Sequence, residues 1–333
     1  MISYQDGRIL DECLASVRNQ TYGQKLIDIL LVDGGSTDRT LEIARKYGAK
    51  VISRPDLTDQ PQVRGGIALS TPTTDLVMPL SADNRLQERD ALARMVETFA
   101  DEEIVGCCTW RYGLRKSDPA LSRYFALIGG NDPIAVGLGK ADRGPLDARA
   151  WHTFGNVEDR GGWYQVSFEA NPAKVPTLGM NGFIFRRRML EKSQFVQYAT
   201  HIDICLDLIR QGHNRFAFVK NRHVVHFIDV GVFPFLKRRL LYAQIYSEEY
   251  VPRIYNVFQK RDFPRLMFII VFYPTLIVPL LRALKGYWVA RDSAWFLHPL
   301  MCAIFTVGYS FHFMKKFVVK VFGGKRQLAR TER

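Results

Sequence analysis

Short apolar runs alternate with helix-patterned segments over the first two thirds of the chain. Residues 26–32 and 76–80 are apolar runs of strand length that each end at a polar loop, and Lys50–Ser53 is a further short strand. Residues 40–47 and 90–99 carry apolar side chains at helical spacing. This order predicts an α/β fold with a mostly parallel open sheet and helices on both faces. Ligands of such sheets bind beyond the carboxyl ends of the strands.

The last third of the chain has a different pattern, with two long runs that lack charged side chains. Residues 266–281 contain no Asp, Glu, Lys or Arg, and neither do residues 294–314. A membrane-spanning helix needs about 20 apolar residues, so the second run is long enough by itself and the first only with its flanks. We therefore expect a transmembrane helical hairpin over residues 263–314. The alternative is that the first run is re-entrant or lies at the membrane surface.

The positive charge of the chain is concentrated beside these apolar runs. Residues 231–333 carry 17 Lys and Arg against five Asp and Glu, whereas residues 1–230 carry 29 against 28. Charge beside apolar runs indicates a membrane surface as partner, and no nucleic acid is expected. By the positive-inside tendency, the basic flanks of both runs face the cytoplasm. We expect a multi-pass protein of the inner or plasma membrane, in which a cytoplasmic domain (1–230) precedes an amphipathic interfacial segment (231–262), the hairpin and a basic cytoplasmic tail (315–333).

Two polar loops at strand ends contain candidate ligand-binding carboxylates. The loop that begins at Asp33 reads DGGSTD, in which the glycines allow a tight turn and a hydroxyl side chain can cap the next helix. The loop that begins at Ser81 reads SADN. Its Asp83 is the type of ligand that Mg²⁺ or Mn²⁺ takes together with phosphate oxygens. Each loop alone is equally typical of a strand-to-helix turn with a capping side chain.

Five segments of the chain occur in the order typical of one enzyme family. They read SYQDGRILDECLASVRNQTY, IDILLVDGGSTDRTLEIARKYGAKVI, TTDLVMPLSADN, PTLGMNGFIFRRRML and HIDICLDLIRQGHNRFAFVKNRHVVH. Over residues 1–230 the chain resembles family 2 glycosyltransferases of the GT-A fold, which is Rossmann-like. The resemblance implies transfer of a hexose from a nucleotide-sugar donor, with inversion at the anomeric carbon, in polysaccharide biosynthesis. It also implies a membrane-anchored protein of the bacterial or archaeal type.

The same resemblance places several residues at the donor. Tyr4 and Asp6 match the nucleotide-binding turn that follows the first strand of the family. Asp33 matches the nucleobase contact, and Arg64 stands where the family has a basic or amide residue over the nucleotide.

Two further residues are implied as ligands of a divalent metal cofactor, Mn²⁺ or Mg²⁺. Asp83 matches the metal-binding acid of the DxD-type motif, whose first acid is replaced here by Ser81. His226 resembles the histidine that reaches the metal or the diphosphate in some GT-A enzymes, although a histidine without a ligand role is an equally good interpretation.

Two residues near the start of a helix are candidates for the catalytic base. Counted back from Gly212, His201 takes the base position of the family and Asp203 that of a later acid. Either an imidazole or a carboxylate can remove the proton of an acceptor hydroxyl. We expect Asp203 to be the base, because Asp207 and Arg210 indicate that the helix starts near it, and His201 is the second candidate. A helix-capping role for Asp203 is the alternative.

The acceptor side is implied by a glycine-containing loop and one aromatic side chain. Gly179, Asn181 and Gly182 match the loop under the acceptor in the family. Trp163 is a candidate for stacking on a sugar or a lipid head group, with ordinary core packing as the alternative.

The family fold begins with a buried strand before the turn that contains Tyr4. Only Met1 and Ile2 precede Ser3 here, so the first strand is expected to be truncated.

These patterns together predict an inverting glycosyltransferase that acts on a lipid-linked or glycan acceptor at the cytosolic face of a membrane. The alternative is a catalytically impaired GT-A relative that binds a nucleotide or a glycan as a scaffold. Ser81, His201 and the short first strand are the features that favour this alternative.

Overall fold

In the computed structural model of the chain, residues 1–151, 153–245 and 253–331 are described, without the side chains of 242–245 and 315–331. The side chains of the predicted basic tail, and part of the predicted interfacial segment, therefore lie outside the described residues.

The described chain folds into an α/β domain followed by helices. The strands are β1 (Ile2–Ser3), β2 (Leu30–Asp33), β3 (Lys50–Ser53), β4 (Leu76–Val77), β5 (Asn84–Leu86), β6 (Ile104–Gly113), β7 (Asn156–Asp159), β8 (Trp163–Ser167), β9 (Ile184–Arg186) and β10 (Arg215–His226). The helices are α1 (Leu10–Arg18), α2 (Thr40–Lys46), α3 (Pro61–Ser70), α4 (Ala91–Glu97), α5 (Ala120–Ile128), α6 (Pro133–Gly137), α7 (Arg187–Leu190), α8 (His201–Arg210), α9 (Val232–Ile245), α10 (Phe263–Phe272), α11 (Ile277–Val289) and α12 (His298–Thr331).

The first three strands form a parallel sheet in the order β1-β2-β3. Leu31 at its centre is fully buried and belongs to one apolar cluster with Leu10 and Leu14 of α1 and Ile43 of α2. Each helix connects two parallel strands and covers the sheet with its apolar stripe. The α/β architecture predicted from the alternating pattern is confirmed.

The second sheet has the order β4-β9-β6-β10-β8-β7, and β5 pairs with the far end of β10. Its central pair, β6 and β10, is parallel, and its other pairs are antiparallel. Alternate residues of β10 point to opposite faces. Phe216 and Phe218 therefore enter one apolar cluster, whereas Ala217 and Val219 enter another on the opposite face.

The C-terminal apolar runs do not form the predicted hairpin of two straight spans. The first run is divided into α10 and α11, whose axes are bent by 94°. The break contains Pro274, which has no N–H to donate, and Leu276 with φ +65°. Within the described residues, one helix, Ser293–Met314, is long and apolar enough to cross a membrane, and 44% of its most apolar window is buried against the protein. A multi-pass arrangement is therefore not supported, and the bent first run has the geometry of either a broken span or a re-entrant loop.

Candidate active site

The pairing of β10 with β5 brings Asp83 and His226 together at one end of the second sheet. His226, the last residue of β10, lies opposite Asn84, the first residue of β5. Asp83 directly precedes β5, and its Oδ2 lies 3.1 Å from His226 Nε2. Burial acts to raise the pKa of Asp83, but the contact with His226 and the positive charge of Arg238 outweigh it and hold the pKa below its ordinary value. Asp83 is therefore an ionised carboxylate beside an imidazole.

The side chain of Asn131 orients the His226 ring. Asn131 Oδ1 lies 3.2 Å from His226 Nδ1. When Asn131 accepts a hydrogen bond from Nδ1–H, a neutral imidazole carries its lone pair on Nε2, and Nε2 and the Asp83 carboxylate would then both offer lone pairs to a cation bound between them. The next residue, Asp132, caps α6 ahead of Pro133. An Asp-Pro pair is a sequence signal for a helix start, so the position of Asn131 beside a helix could have been predicted, but its contact with His226 could not.

The Asn84 amide connects Asp83 to the predicted acceptor-side loop. Asn84 Nδ2 donates to Asp83 Oδ1 at 3.1 Å and to Asn181 Oδ1 at 3.4 Å. Asn181 Nδ2 in turn donates to the Tyr112 hydroxyl at 2.7 Å. Asn181 (φ +53°) and Gly182 (φ +75°) both have left-handed backbone conformations. The acceptor-side loop and the predicted metal ligand therefore belong to one hydrogen-bonded unit.

A buried polar network that was not predicted from the sequence supports this loop from behind. The Tyr112 hydroxyl donates to Asp142, and Arg143 Nη2 donates to the backbone carbonyls of Met180 and Asn181. Burial raises the pKa of both Tyr112 and Asp142. Because the Tyr112 hydroxyl, the Asp142 carboxylate and both Nη groups of Arg143 have partners, the network favours one conformation of the loop.

The glycine-rich turn after β2 is built around its own carboxylate. Asp33 Oδ2 accepts hydrogen bonds from the N–H groups of Gly35 and Ser36, and Oδ1 accepts one from the Ser36 hydroxyl. Asp33 is fully buried. The observed role of Asp33 is therefore to shape the turn, and its contact with a nucleobase stays a prediction.

Arg64 lies across the ends of β1 and β2. Its Nη1 donates to the backbone carbonyl of Ser3 at 2.8 Å. The guanidinium also covers Gly34 so closely that a Cβ at that position would lie 1.9 Å from Nη1. A side chain at residue 34 would displace the guanidinium from this position at the carboxyl ends of parallel strands, where anionic ligands bind.

The turn that contains Tyr4 and Asp6 is fixed to the segment after β2. The backbone N–H groups of residues 5–7 donate hydrogen bonds to side chains of that segment. Asp6 accepts hydrogen bonds from the Ser3 hydroxyl and from the Tyr4 N–H. Burial raises the pKa of Asp6, and the nearby Asp83 acts in the same direction. Tyr4 is 45% exposed. The structure thus brings Asp6 within electrostatic reach of Asp83 and leaves the Tyr4 ring open to solvent.

Asp203, the residue expected to be the base, has the contacts of a structural carboxylate. It is fully buried in the first turn of α8. Its Oδ1 accepts hydrogen bonds from the N–H groups of Ile254 and Tyr255, and its Oδ2 lies 2.5 Å from Arg253 Nε. Both oxygens are thus engaged in holding residues 253–255 against α8. This geometry does not fit the predicted role, because an acceptor hydroxyl has no access to the carboxylate.

His201, the second candidate, packs against the acceptor-side loop. Gly179 has φ +96°, and a Cβ there would lie 2.7 Å from the His201 Cβ. The His201 Nδ1 has no hydrogen-bond partner among the described residues. Burial lowers the pKa of His201 to about 4. The imidazole is therefore neutral at pH 7, and a neutral imidazole is the form that accepts a proton.

Trp163 has the contacts of a core side chain. It pairs with Val219 in the ladder between β8 and β10 and packs against the apolar cluster that includes Met95 and Ile104. Its stacking on an acceptor stays a prediction. The alternative, core packing, describes its contacts.

The residues around Asp83 fit a divalent cation. No group of three His, Cys, Asp or Glu side chains is gathered in the described part of the chain. Asp83 and His226 nevertheless supply one carboxylate oxygen and one oriented imidazole nitrogen. Mg²⁺ and Mn²⁺ sites in phosphate-binding enzymes take one or two protein ligands, and the remaining ligands are phosphate oxygens and water.

Comparison with known proteins identifies the first part of the chain. Residues 1–137 match the family model described as "Glycosyl transferase family 2". A PGL/p-HBAD biosynthesis glycosyltransferase from Mycobacterium bovis is 39% identical over 102 residues, which cover 28% of this chain and 38% of the relative. A relative with the same name from Mycobacterium tuberculosis matches equally. The chain thus spans less than two fifths of the length of these curated relatives.

One solved structure covers nearly the whole chain. It is a mannosyltransferase from Pyrobaculum calidifontis in complex with GDP-Man and Mn²⁺, with a TM-score of 0.53, 15% identity, and coverage of 93% of this chain and 84% of that one. At this identity the similarity shows the fold alone. Residues 1–137 thus match glycosyltransferase family 2, and the architecture of the chain is α/β and GT-A-like.

Proposed function

We propose that the protein transfers a hexose from a nucleotide-sugar donor, with inversion, to a lipid-linked or glycan acceptor at the cytosolic face of a membrane. The observation that carries this proposal is the pair of Asp83 and His226, 3.1 Å apart at a strand end. The pair is joined through Asn84 to the loop at Asn181 in a chain whose residues 1–137 match this family. Donor-binding and acceptor-side residues thus meet at one place.

The donor would lie over the carboxyl ends of the first sheet. Arg64 offers a buried guanidinium there, and Tyr4 offers an exposed ring. Asp33 holds the turn on which the nucleobase would rest. A divalent cation held by Asp83 and His226 would neutralise the diphosphate as its bond to the sugar breaks. Its removal would therefore slow transfer far more than it would disturb the fold.

We assign the base role to His201 rather than to Asp203. Inverting transfer needs one group that removes the acceptor hydroxyl proton while the oxygen attacks the anomeric carbon. The His201 imidazole is neutral and borders the acceptor-side loop at Gly179. Asp203 is buried and bound to the 253–255 segment.

A membrane-bound acceptor is favoured by what lies next to the site. Asn131 contacts His226, and the adjacent Asp132 accepts a hydrogen bond from the Tyr309 hydroxyl of α12. The residue that α12 contacts is therefore the chain neighbour of the residue that contacts the predicted metal ligand His226. An acceptor that carries a lipid could present its head group to the site from this side.

The experiment that tests the proposal is a donor screen with purified protein, Mn²⁺ and membranes, followed by mass spectrometry of the lipid extract. We expect one nucleotide sugar to be consumed and one new glycosylated lipid or glycan to appear. Asp83→Asn should abolish this product, and Asp28→Asn, on an exposed surface pair with Lys50, should not. Nucleotide binding without turnover of any donor would favour the scaffold alternative, for which Ser81 in place of an acid is the specific observation.

A further inference from the structure

Within the described residues, the one helix that is long enough to cross a membrane packs on the preceding domain over residues 298–309. A stripe of α12 is buried, and it consists of His298, Met301, Cys302, Phe305 and Tyr309. These positions follow helical spacing over about 16 Å of the helix axis. The stripe packs in one apolar cluster with α5, α6 and α9 of the preceding chain.

Polar contacts fix α12 at both ends of this stripe. The Tyr124 hydroxyl of α5 lies 2.9 Å from His298 Nδ1. The Tyr309 hydroxyl donates to Asp132, and Arg239 of α9 also binds this carboxylate. The contacts at Asp132 adjoin Asn131, which orients His226.

A membrane crossing by this part of α12 would carry the active site into hydrocarbon. The bilayer core is about 30 Å thick, so a helix centred near Phe305 would place Asp132 and Arg239 close to the bilayer centre. A charged residue at the bilayer centre is strongly disfavoured. A bound diphosphate with its cation would be disfavoured there even more strongly. The packing of α12 is therefore incompatible with a crossing over residues 298–309.

The opposite faces of these helices are apolar and open. On α12 the exposed stripe consists of Leu300, Val307, Phe311 and Met314. On α10, α11 and the break between them, thirteen large apolar side chains are exposed, among them Val271, Phe272, Leu276 and Ile277 around the break. An exposed apolar surface of this extent marks an interaction site.

The charges around this surface select the partner. Residues 253–314 contain two acidic side chains, Asp262 and Asp292. Both are turned inward, onto Lys140 and Arg123 respectively, with side chains about 10% exposed. The basic side chains Lys260, Arg261, Arg265, Lys285 and Arg291 are exposed. An apolar face bordered by exposed positive charge is complementary to an anionic lipid surface.

We propose that α10, α11 and residues 293–314 form a platform that lies in the plane of one leaflet of an anionic bilayer. The bent α10–α11 pair inserts its elbow, and the catalytic domain stays on the same side as both ends of residues 263–314. The platform holds the proposed transferase at the membrane without a crossing in this segment. This inference rests on the proposed function, but the two can be separated. If the protein transfers sugar in detergent and does not bind vesicles, the platform is wrong and the proposed function is not.

Vesicle binding tests the platform. Wild-type protein should bind vesicles that contain phosphatidylglycerol. Val271→Asp and Ile277→Asp, which change exposed side chains on either side of the elbow, should each weaken binding about tenfold or more. Leu26→Asp is the matched control, because it changes an equally exposed apolar side chain of the catalytic domain and should leave binding unchanged. Elbow variants that bind like the wild type would overturn the proposal, provided that all variants retain wild-type circular dichroism.

Depth measurements distinguish the platform from a spanning helix. Single cysteines in place of Leu300 and Met314 can be labelled with a fluorophore, since the five native cysteines are buried. The two positions are about 21 Å apart along α12. In-plane docking predicts that nitroxide lipids of the outer leaflet quench both labels at the same shallow depth. Labels at depths that differ by about 20 Å would show a crossing and would contradict the proposal.

Discussion

The loop at Asp83 and the start of α8 at Asp203 both present an acid where the sequence predicts catalytic chemistry, but the Asp83 side chain is 26% exposed and that of Asp203 is fully buried. Asp83 faces an imidazole across 3.1 Å and is linked by Asn84 to the acceptor-side loop. Asp203 has one oxygen on two backbone N–H groups and the other beside Arg253.

This difference shows that the partners of a carboxylate, together with its exposure, indicate its role. A carboxylate that holds backbone N–H groups from a distant segment completes the fold, because those groups would otherwise be unsatisfied. A carboxylate paired with an oriented imidazole keeps lone pairs for a cation. The following variants test the contrast, beginning with the largest expected effect.

Asp83→Asn should reduce transfer by about a thousandfold or more. The substitution removes the one charged protein ligand of the proposed cation, and so several kcal/mol of charge stabilisation. The folded state should persist, since Asn keeps the shape and can accept the bond from Asn84. Steady-state kinetics over a range of Mn²⁺ concentrations measure the loss. Near-normal kcat at saturating Mn²⁺ would contradict the metal assignment.

His201→Gln should lower kcat by about 10²–10⁴-fold, the range for loss of a general base. Donor KM should change little, because His201 borders the acceptor-side loop. His213→Gln is the matched control, since His213 lies at the surface beside Lys192. An active His201→Gln variant would remove His201 from the reaction and leave the base unassigned.

The pH profile sharpens the same assignment. Burial lowers the pKa of His201 to about 4, so its neutral form persists down to that pH. The acid limb of kcat/KM that belongs to this residue should therefore lie near pH 4, well below the value near 6.5 of an exposed histidine. An acid limb at pH 6–7 that disappears in His201→Gln would mean that the imidazole is solvated in the working enzyme.

Asn131→Ala should weaken Mn²⁺ binding about 10–100-fold, the usual cost of losing a group that orients a metal-bound histidine. The affinity should fall without loss of Asp83 or His226 themselves. Asn156→Ala, at an exposed position of β7, serves as the control. Unchanged Mn²⁺ affinity in Asn131→Ala would show that the contact with His226 has no positioning role.

Asp203→Asn should have the smallest effect on kcat and a clear effect on stability. The variant leaves Arg253 without its buried counter-charge, which costs on the order of 3 kcal/mol in the free energy of unfolding. Chemical denaturation measures this loss, and kcat of the folded variant should remain within a few-fold of the wild type. A stable variant with abolished transfer would restore Asp203 as the base.

Local patterns in the sequence predicted most elements of the first sheet. Apolar runs and their flanking polar loops place β2, β3 and the helix α2 within a few residues, because each of these elements is determined by short-range periodicity. The end of α2 at Gly48 (φ +65°) is likewise a local signal.

Long-range contacts could not be predicted in this way. The contact of Asn131 with His226 joins residues 95 positions apart, and the bonds from residues 254 and 255 to Asp203 span 51 and 52. The break of the first apolar run had a local signal in Pro274, but composition alone could not show that α12 packs along the catalytic domain. The sequence therefore predicts the positions of the polar loops at strand ends well and the partners of each acid poorly.

The most direct test is Mn²⁺ binding in the presence of UDP or GDP, measured by electron paramagnetic resonance. It compares the wild type with Asp83→Asn and Asp203→Asn. This measurement needs neither the acceptor nor the sugar to be known. We predict that nucleotide-dependent Mn²⁺ binding is lost in Asp83→Asn and unchanged in folded Asp203→Asn. Retained binding in Asp83→Asn, or loss of binding in Asp203→Asn alone, would contradict the account.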